Sequence, residues 1–264
     1  MQLIWREPGF DYSMKSIMQF QTEEAGEYWM EPLYYFFPEI KMEIAQTLSD
    51  EERADYIGEK LQVFYEQGKG MLEEKVLAYQ QHWEKCKEPI VEAFSDAFEM
   101  DCRTRFENIT GNITLNPIAP RYLKERTFDV FYLNSERGAL GLALHEMIHF
   151  VWFDVWKRHF GDDDVEYEIP HLPWILSEMT VEPIMHDPRL ASVNPYFERD
   201  YEKKENGCVY GCFYDMKIDG EPILETLYRE YRQESITDYM EWAYEYCRTY
   251  EKEIRSQMRE VLGE

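Results

Sequence analysis

Apolar positions fall at helical spacing over most of residues 22–100, and the punctuation around them is that of helices. Ser49-Asp50-Glu51-Glu52 reads as a capping box, with Leu48 placed to staple the start of the helix it opens. Gly68-Lys69-Gly70 marks the expected end of that helix. A second amphipathic segment then carries Met71, Leu72, Val76, Leu77, Tyr79 and Trp83 among its apolar positions. The pattern then changes. Ile113-Thr114-Leu115 and Phe128-Asp129-Val130-Phe131-Tyr132-Leu133 are short, β-branched or aromatic runs bounded by Pro, Gly and Asn, and both are expected strands.

From Gly138 to Trp156 the chain is apolar on nearly every side, as a buried helix would be. Asn134 or Ser135 can cap its start, and Gly161 can end it after Lys157 and Arg158. Gly161-Asp162-Asp163-Asp164 opens an acidic loop. It lacks the Asp-x-Asp-x-Asp-Gly spacing of a calcium loop, so a solvated turn is expected. Pro173 suits the first turn of another helix, running from Trp174 to about Glu182, where Pro183 should interrupt it. Residues 207–220 read as a hairpin or loop ending in Asp219-Gly220, helix resumes at Glu221, and Ser235-Ile236-Thr237-Asp238 starts the final helix. No repeat or linker interrupts the chain. The fold expected is α+β and predominantly helical, with a small mixed sheet. A single domain over residues 1–264 is expected, with lobes at 1–100, 101–190 and 191–264.

Composition narrows the partners more than the fold. Of 264 residues, 44% are hydrophobic and 16% aromatic, enough for a sizeable core. Against 53 acidic side chains stand 28 basic ones, a formal net charge of −25. A field of that sign repels nucleic acid and anionic membrane surfaces, so neither is expected as a partner. The first residues lack a basic stretch followed by an apolar one, and no apolar run approaches the length of a membrane span. Five scattered cysteines argue against a disulfide framework and for a reducing compartment, so a cytoplasmic location is expected. Cys208 and Cys212 lack a second pair and read as ordinary thiols.

The residues that carry chemistry are His145-Glu146-Met147-Ile148-His149, inside the apolar helix. Positions i and i+4 share a helix face, so both imidazoles can reach one ion. Glu146 lies about 100° further round, placed to handle a water there. Such a run arises by accident on the order of once per hundred chains of this length. Two histidines and a carboxylate buried among Leu144, Met147, Ile148 and Val151 without partners or a metal would be costly. The pattern therefore points to one zinc ion, with Glu146 as a base and not a ligand.

A third ligand is required. The six-residue spacing that would put a histidine there falls on Val155. Ile175-Leu176-Ser177-Glu178-Met179-Thr180-Val181-Glu182 offers two glutamates one turn apart. Together with Trp174, this run and the histidine motif resemble the gluzincin-like metallopeptidases, the set that includes thermolysin-like enzymes, metalloaminopeptidases and oligoendopeptidases. The resemblance covers roughly residues 113–186. It implies a zincin-like core in which the sheet packs on the motif helix and on a second helix bearing Glu178 as third ligand. It also implies that Glu182 accepts a hydrogen bond from a ligating histidine and orients it, and that the Phe128–Leu133 strand is a sheet edge for an extended peptide. The reaction implied is hydrolysis of a peptide or protein substrate. Tyr210 and Tyr214 are candidate donors to the oxyanion, while His171 and His186, which flank the second helix, are expected in surface or packing roles. The competing reading is a binding protein that keeps the zinc and the fold without turnover. Departures include Met179 where the family has glycine and a 28-residue gap between His149 and Glu178.

Overall fold

The computed structural model describes residues 1–161, 167–197 and 207–262. In chain order the elements begin with β1 (Leu3–Arg6), α1 (Phe10–Met18), α2 (Glu27–Phe36), α3 (Met42–Ala45), α4 (Asp50–Ala97) and α5 (Cys102–Arg105). Next come β2 (Ile109–Thr114), β3 (Arg121–Tyr122), β4 (Thr127–Phe131), α6 (Glu136–Phe160) and α7 (Leu172–Met185). The remainder is α8 (Pro188–Ala191), α9 (Gly211–Asp215), β5 (Lys217–Ile218), β6 (Glu221–Pro222), α10 (Ile223–Tyr231), α11 (Ile236–Thr249), α12 (Glu251–Gln257) and α13 (Arg259–Leu262). The protein is thus predominantly helical with a small mixed sheet. The acidic residues 162–164, where the sequence predicts a solvated turn, lie outside the described residues.

The longest element departs from expectation. Ser49 caps α4 as a full capping box with Glu52, but the helix does not stop at Gly68-Lys69-Gly70. It continues for 48 residues, roughly 70 Å at the usual rise. Two glycines weaken a helix by about 1 kcal/mol each relative to alanine. The buried stripe outweighs that, because Ile57, Leu61 and Tyr65 before the glycines stay in register with Leu72, Tyr79 and Trp83 after them. That stripe lies along β1 and α6.

Strand order is β1-β2-β4-β3, with β1, β2 and β4 parallel and β3 antiparallel to β4. The sequence reading missed β1, although Leu3 and Trp5 alternate with exposed Ile4 and Arg6. Its Trp5 ring lies over Gly111 of β2, where a Cβ would come within 2.5 Å of the indole. The expectation that the Phe128–Leu133 strand is a sheet edge holds only beyond Asp129, where no strand pairs with its second side among the described residues. β4 is flanked by β2 along its whole length and by β3 at Thr127 and Phe128; the outer strands are β1 and β3. Beneath the sheet, buried Asp129 accepts hydrogen bonds from Tyr12 (2.9 Å), Asn112 (3.0 Å) and Ser16 (2.5 Å), tying α1 to β2 and β4.

α6 forms as expected: Ser135 accepts from the Gly138 amide, and Gly161 ends the helix in the left-handed region at φ 68°. Every residue of α7 is buried, and the helix runs past Pro183 to Met185. Proline here removes only the hydrogen bond to Met179, and burial of Ile184 and Met185 outweighs that loss. α7 is packed by α6, α10 and α11. Asp219-Gly220 makes the turn of the β5–β6 hairpin. The helix opened by Ser235 is not the last, since the chain breaks at Tyr250 into α12 and α13. Among the described residues no helix is long and apolar enough to cross a membrane.

Candidate metal centre

Helices α6 and α7 cross so that three ligand-type side chains converge. His145 Nε2 lies 3.0 Å from His149 Nε2 and 3.2 Å from Glu178 Oε2, and His149 Nε2 is 3.4 Å from Glu178 Oε1. All three ligand atoms fall within 4.8 Å of one another. Among the described residues no fourth histidine, cysteine or carboxylate joins them, which leaves a coordination position open. The two residues predicted from the motif and the glutamate predicted one helix later are therefore brought together.

Local hydrogen bonding sets the protonation of the group. His145 Nδ1 lies 2.7 Å from the Cys208 carbonyl, which can only accept, so Nδ1 carries a hydrogen and Nε2 is the atom turned to Glu178. Burial opposes a second proton on this ring, but the Glu178 hydrogen bond and the Glu146 and Glu178 charges overcome it and raise its pKa. Burial, reinforced by the Arg121 charge, pushes His149 down to about 3 and keeps it neutral. Burial opposes ionisation of Glu178, but His149, Arg121 and the hydrogen bonds from both imidazoles overcome it and hold the carboxyl well below its usual value. Once a cation displaces the His145 Nε2 proton, two imidazole nitrogens and one carboxylate are a donor set that suits zinc. His149 Nδ1 is buried without an acceptor among the described residues, so only one of the two rings is fixed from behind.

Glu146 points to the same cavity, of about 510 Å³, lined by Arg121, His145, Glu178, Cys208 and Tyr210 among others. Burial raises its carboxyl to about 7, against the pull of His145 and Arg121. Its Oε2 is buried with no hydrogen-bond partner. A carboxylate that half-ionises near neutrality and has a spare oxygen is poised to move a proton. Tyr210 lines the cavity as expected, its ring against Trp174 and Trp29, and burial holds its hydroxyl protonated. Tyr214 serves elsewhere, donating to Glu182 and accepting from the Cys208 amide.

Other expectations need correction. Glu182 does not receive a ring N–H from a ligating histidine. Its Oε2 accepts from Cys208 Sγ at 2.7 Å and from Tyr214 at 3.2 Å, because Cys208 lies between Glu182 and His145. Glu182 thus acts on His145 only through Cys208, whose carbonyl holds the ring. Cys208 is consequently more than an ordinary buried thiol. His186 is a packing residue as expected, donating to the Glu182 carbonyl and stacked on Tyr228. His171 lies in the neighbouring cavity, and His159 pairs with Glu241.

Arg121 is the residue that sequence reasoning missed. Its Nη1 donates to Glu178 Oε1 at 2.9 Å and lies 3.8 Å from Glu146 Oε2, with the side chain only 9% exposed. The two carboxylates outweigh the effect of burial and raise its pKa further. No local pattern could have singled it out, since a two-residue strand 24 positions before His145 carries no motif. No protein-family model, curated protein or solved structure matches the chain.

Proposed function

We propose that the protein is a zinc-dependent peptidase of the gluzincin kind, cleaving peptide or protein substrates. The observation that carries this reading is the convergence of His145, His149 and Glu178 from two buried helices, with Glu146 in the same cavity, its Oε2 buried without a hydrogen bond. His145, His149 and Glu178 would hold a zinc ion, which would supply the Lewis acidity that makes a water acidic near neutral pH and polarises a carbonyl. Glu146 takes the proton from that water and passes it to the departing amine; its raised pKa suits both transfers. Tyr210, protonated throughout the working range, donates to the substrate oxygen as charge builds on it. Glu182 and Tyr214 hold the Cys208 segment, and through its carbonyl they keep His145 in the ligating tautomer. All five cysteines are thiols, which agrees with a cytoplasmic setting.

The test is paired. Protein purified without chelator should carry one equivalent of zinc by elemental analysis. Glu146→Gln should keep that zinc while hydrolysis of a quenched peptide library falls by roughly 10²–10⁴-fold. Equal cleavage by the variant, or wild-type protein without zinc, overturns the reading; a zinc-loaded wild type that cleaves nothing leaves a binding protein.

A further inference from the structure

Arg121 holds more hydrogen-bonding capacity than the protein uses. Nη1 serves Glu178 and Glu146, but Nε and Nη2 are buried with no hydrogen-bond partner among the described residues. Those two nitrogens form one edge of the guanidinium, the edge whose parallel N–H bonds match a carboxylate. The protein itself uses that edge so twice. Arg105 grips Asp154 through Nε (2.6 Å) and Nη2 (3.0 Å), and Arg189 grips Asp187 through Nε (3.0 Å) and Nη2 (2.6 Å). At Arg121 no acid lies within hydrogen-bond reach of that edge among the described residues.

Location says what the acid belongs to. Arg121 lines the cavity that holds His145, Glu146 and Glu178, and it also walls the adjoining one. That second cavity sets Lys124, Arg126 and Lys157 against Glu125, Asp154 and Glu168, a local balance in a chain whose net charge is −25. Glu178 touches guanidinium Nη1 at 2.9 Å and the imidazoles at 3.2 Å and 3.4 Å, so a single carboxylate separates Arg121 from the two histidines. In a peptide, one residue separates the last scissile carbonyl from the terminal carboxylate.

We infer that Arg121 anchors a substrate carboxylate through its Nε–Nη2 edge, and that the bond cut is the one beside a free C-terminal carboxylate. This inference rests on the peptidase reading above. The water oxygen bonds to the carbonyl carbon and the C–N bond breaks. Glu146 carries the water's proton to the leaving nitrogen, and the released product is one amino acid with its carboxylate on Arg121. Side-chain acids share the chemistry, so the test separates them.

Zinc-loaded Glu146→Gln protein is titrated calorimetrically with one apolar tetrapeptide in three forms: free acid, C-terminal amide, and amide with Glu as last residue. The free acid should bind roughly 10- to 100-fold tighter than either amide, the worth of a charge-assisted pair. Arg121→Met in that background should erase the difference. Arg121→Lys, which retains a cation beside Glu178, should lose most of it and serves if the methionine variant does not fold. Mass spectrometry of wild-type digests should show single residues leaving the C-terminus of the free acid. Equal binding of acid and amide, or a preference that survives both substitutions, overturns the anchor. Tighter binding of the Glu-terminated amide would assign the edge to side-chain acids and overturn the terminal-bond claim. Arg121-dependent binding of the free acid without any cleavage would sink the peptidase reading and keep the anchor; internal cleavage of amides as fast as acids would do the reverse.

Discussion

Replacing Glu178 by Gln should unsettle the metal-free protein, and the structure gives the size of the effect. The exchange preserves shape but removes the charge that Arg121 contacts at 2.9 Å, where the two side chains are 9% and 2% exposed. Stranding one member of a buried pair costs about 3–5 kcal/mol. Glu146 remains 3.8 Å away and compensates in part, which puts the expected loss near the lower limit, about 3 kcal/mol. For a chain of this size each kcal/mol lowers the melting midpoint by about 2–4 °C, so the variant should melt roughly 6–12 °C below wild type in chelator. Arg121→Met should be destabilising alone, and the double variant should recover much of the loss, because no orphan charge then remains. Thermal unfolding of the four proteins closes the cycle. A Glu178→Gln midpoint within a degree or two of wild type, or single losses that simply add in the double variant, would refute the buried pair and with it the arrangement of the site.

Three further outcomes follow from particular contacts. A Cβ on Gly141 would lie 2.6 Å from Asn194 Oδ1, 2.9 Å from Tyr196 and 3.0 Å from Pro195, so Gly141→Ala should lose about 1–3 kcal/mol by overpacking, read as a lower midpoint with zinc content unchanged. Asp129→Asn puts an amide donor among Tyr12, Ser16 and Asn112, all of which donate to the carboxylate, and should cost about 1–3 kcal/mol in a urea melt; an unchanged midpoint would contradict the network. Glu146 must be ionised to act as a base, so kcat/KM should fall as pH drops below about 7, or below a somewhat lower value once a bound cation draws the proton off. The stability sign is opposite: its pKa is raised on folding from 4.5 to about 7, so the folded state holds the extra proton in that window. The metal-free protein should therefore lose this contribution as pH rises from 4.5 to 7, and Glu146→Gln should flatten that part of the stability profile.

Local signals carried much of the site and part of the fold. Two histidines at helical spacing, a glutamate between them and a glutamate on the next long helix were legible because each depends on a single element's periodicity. Caps at Ser49, Ser135 and Gly161 were legible for the same reason: a helix end is satisfied by residues within a turn of it. Gly68-Lys69-Gly70 and Pro183 misled, since breaker residues set only a local cost and the burial that outweighs it comes from elements distant in sequence.

What the chain alone determined is which residues share one helix face, His145 and His149; Glu178 on a second helix was singled out through the family resemblance. Only the tertiary structure decided what surrounds them. It placed β3 against the open side of β4, which put the Arg121 guanidinium on Glu178, and it threaded Cys208 between His145 and Glu182. Those contacts span 57, 63 and 26 residues of sequence, and no spacing rule links such positions. They exist because a buried ion or ring nitrogen must find a partner wherever the packed chain supplies one.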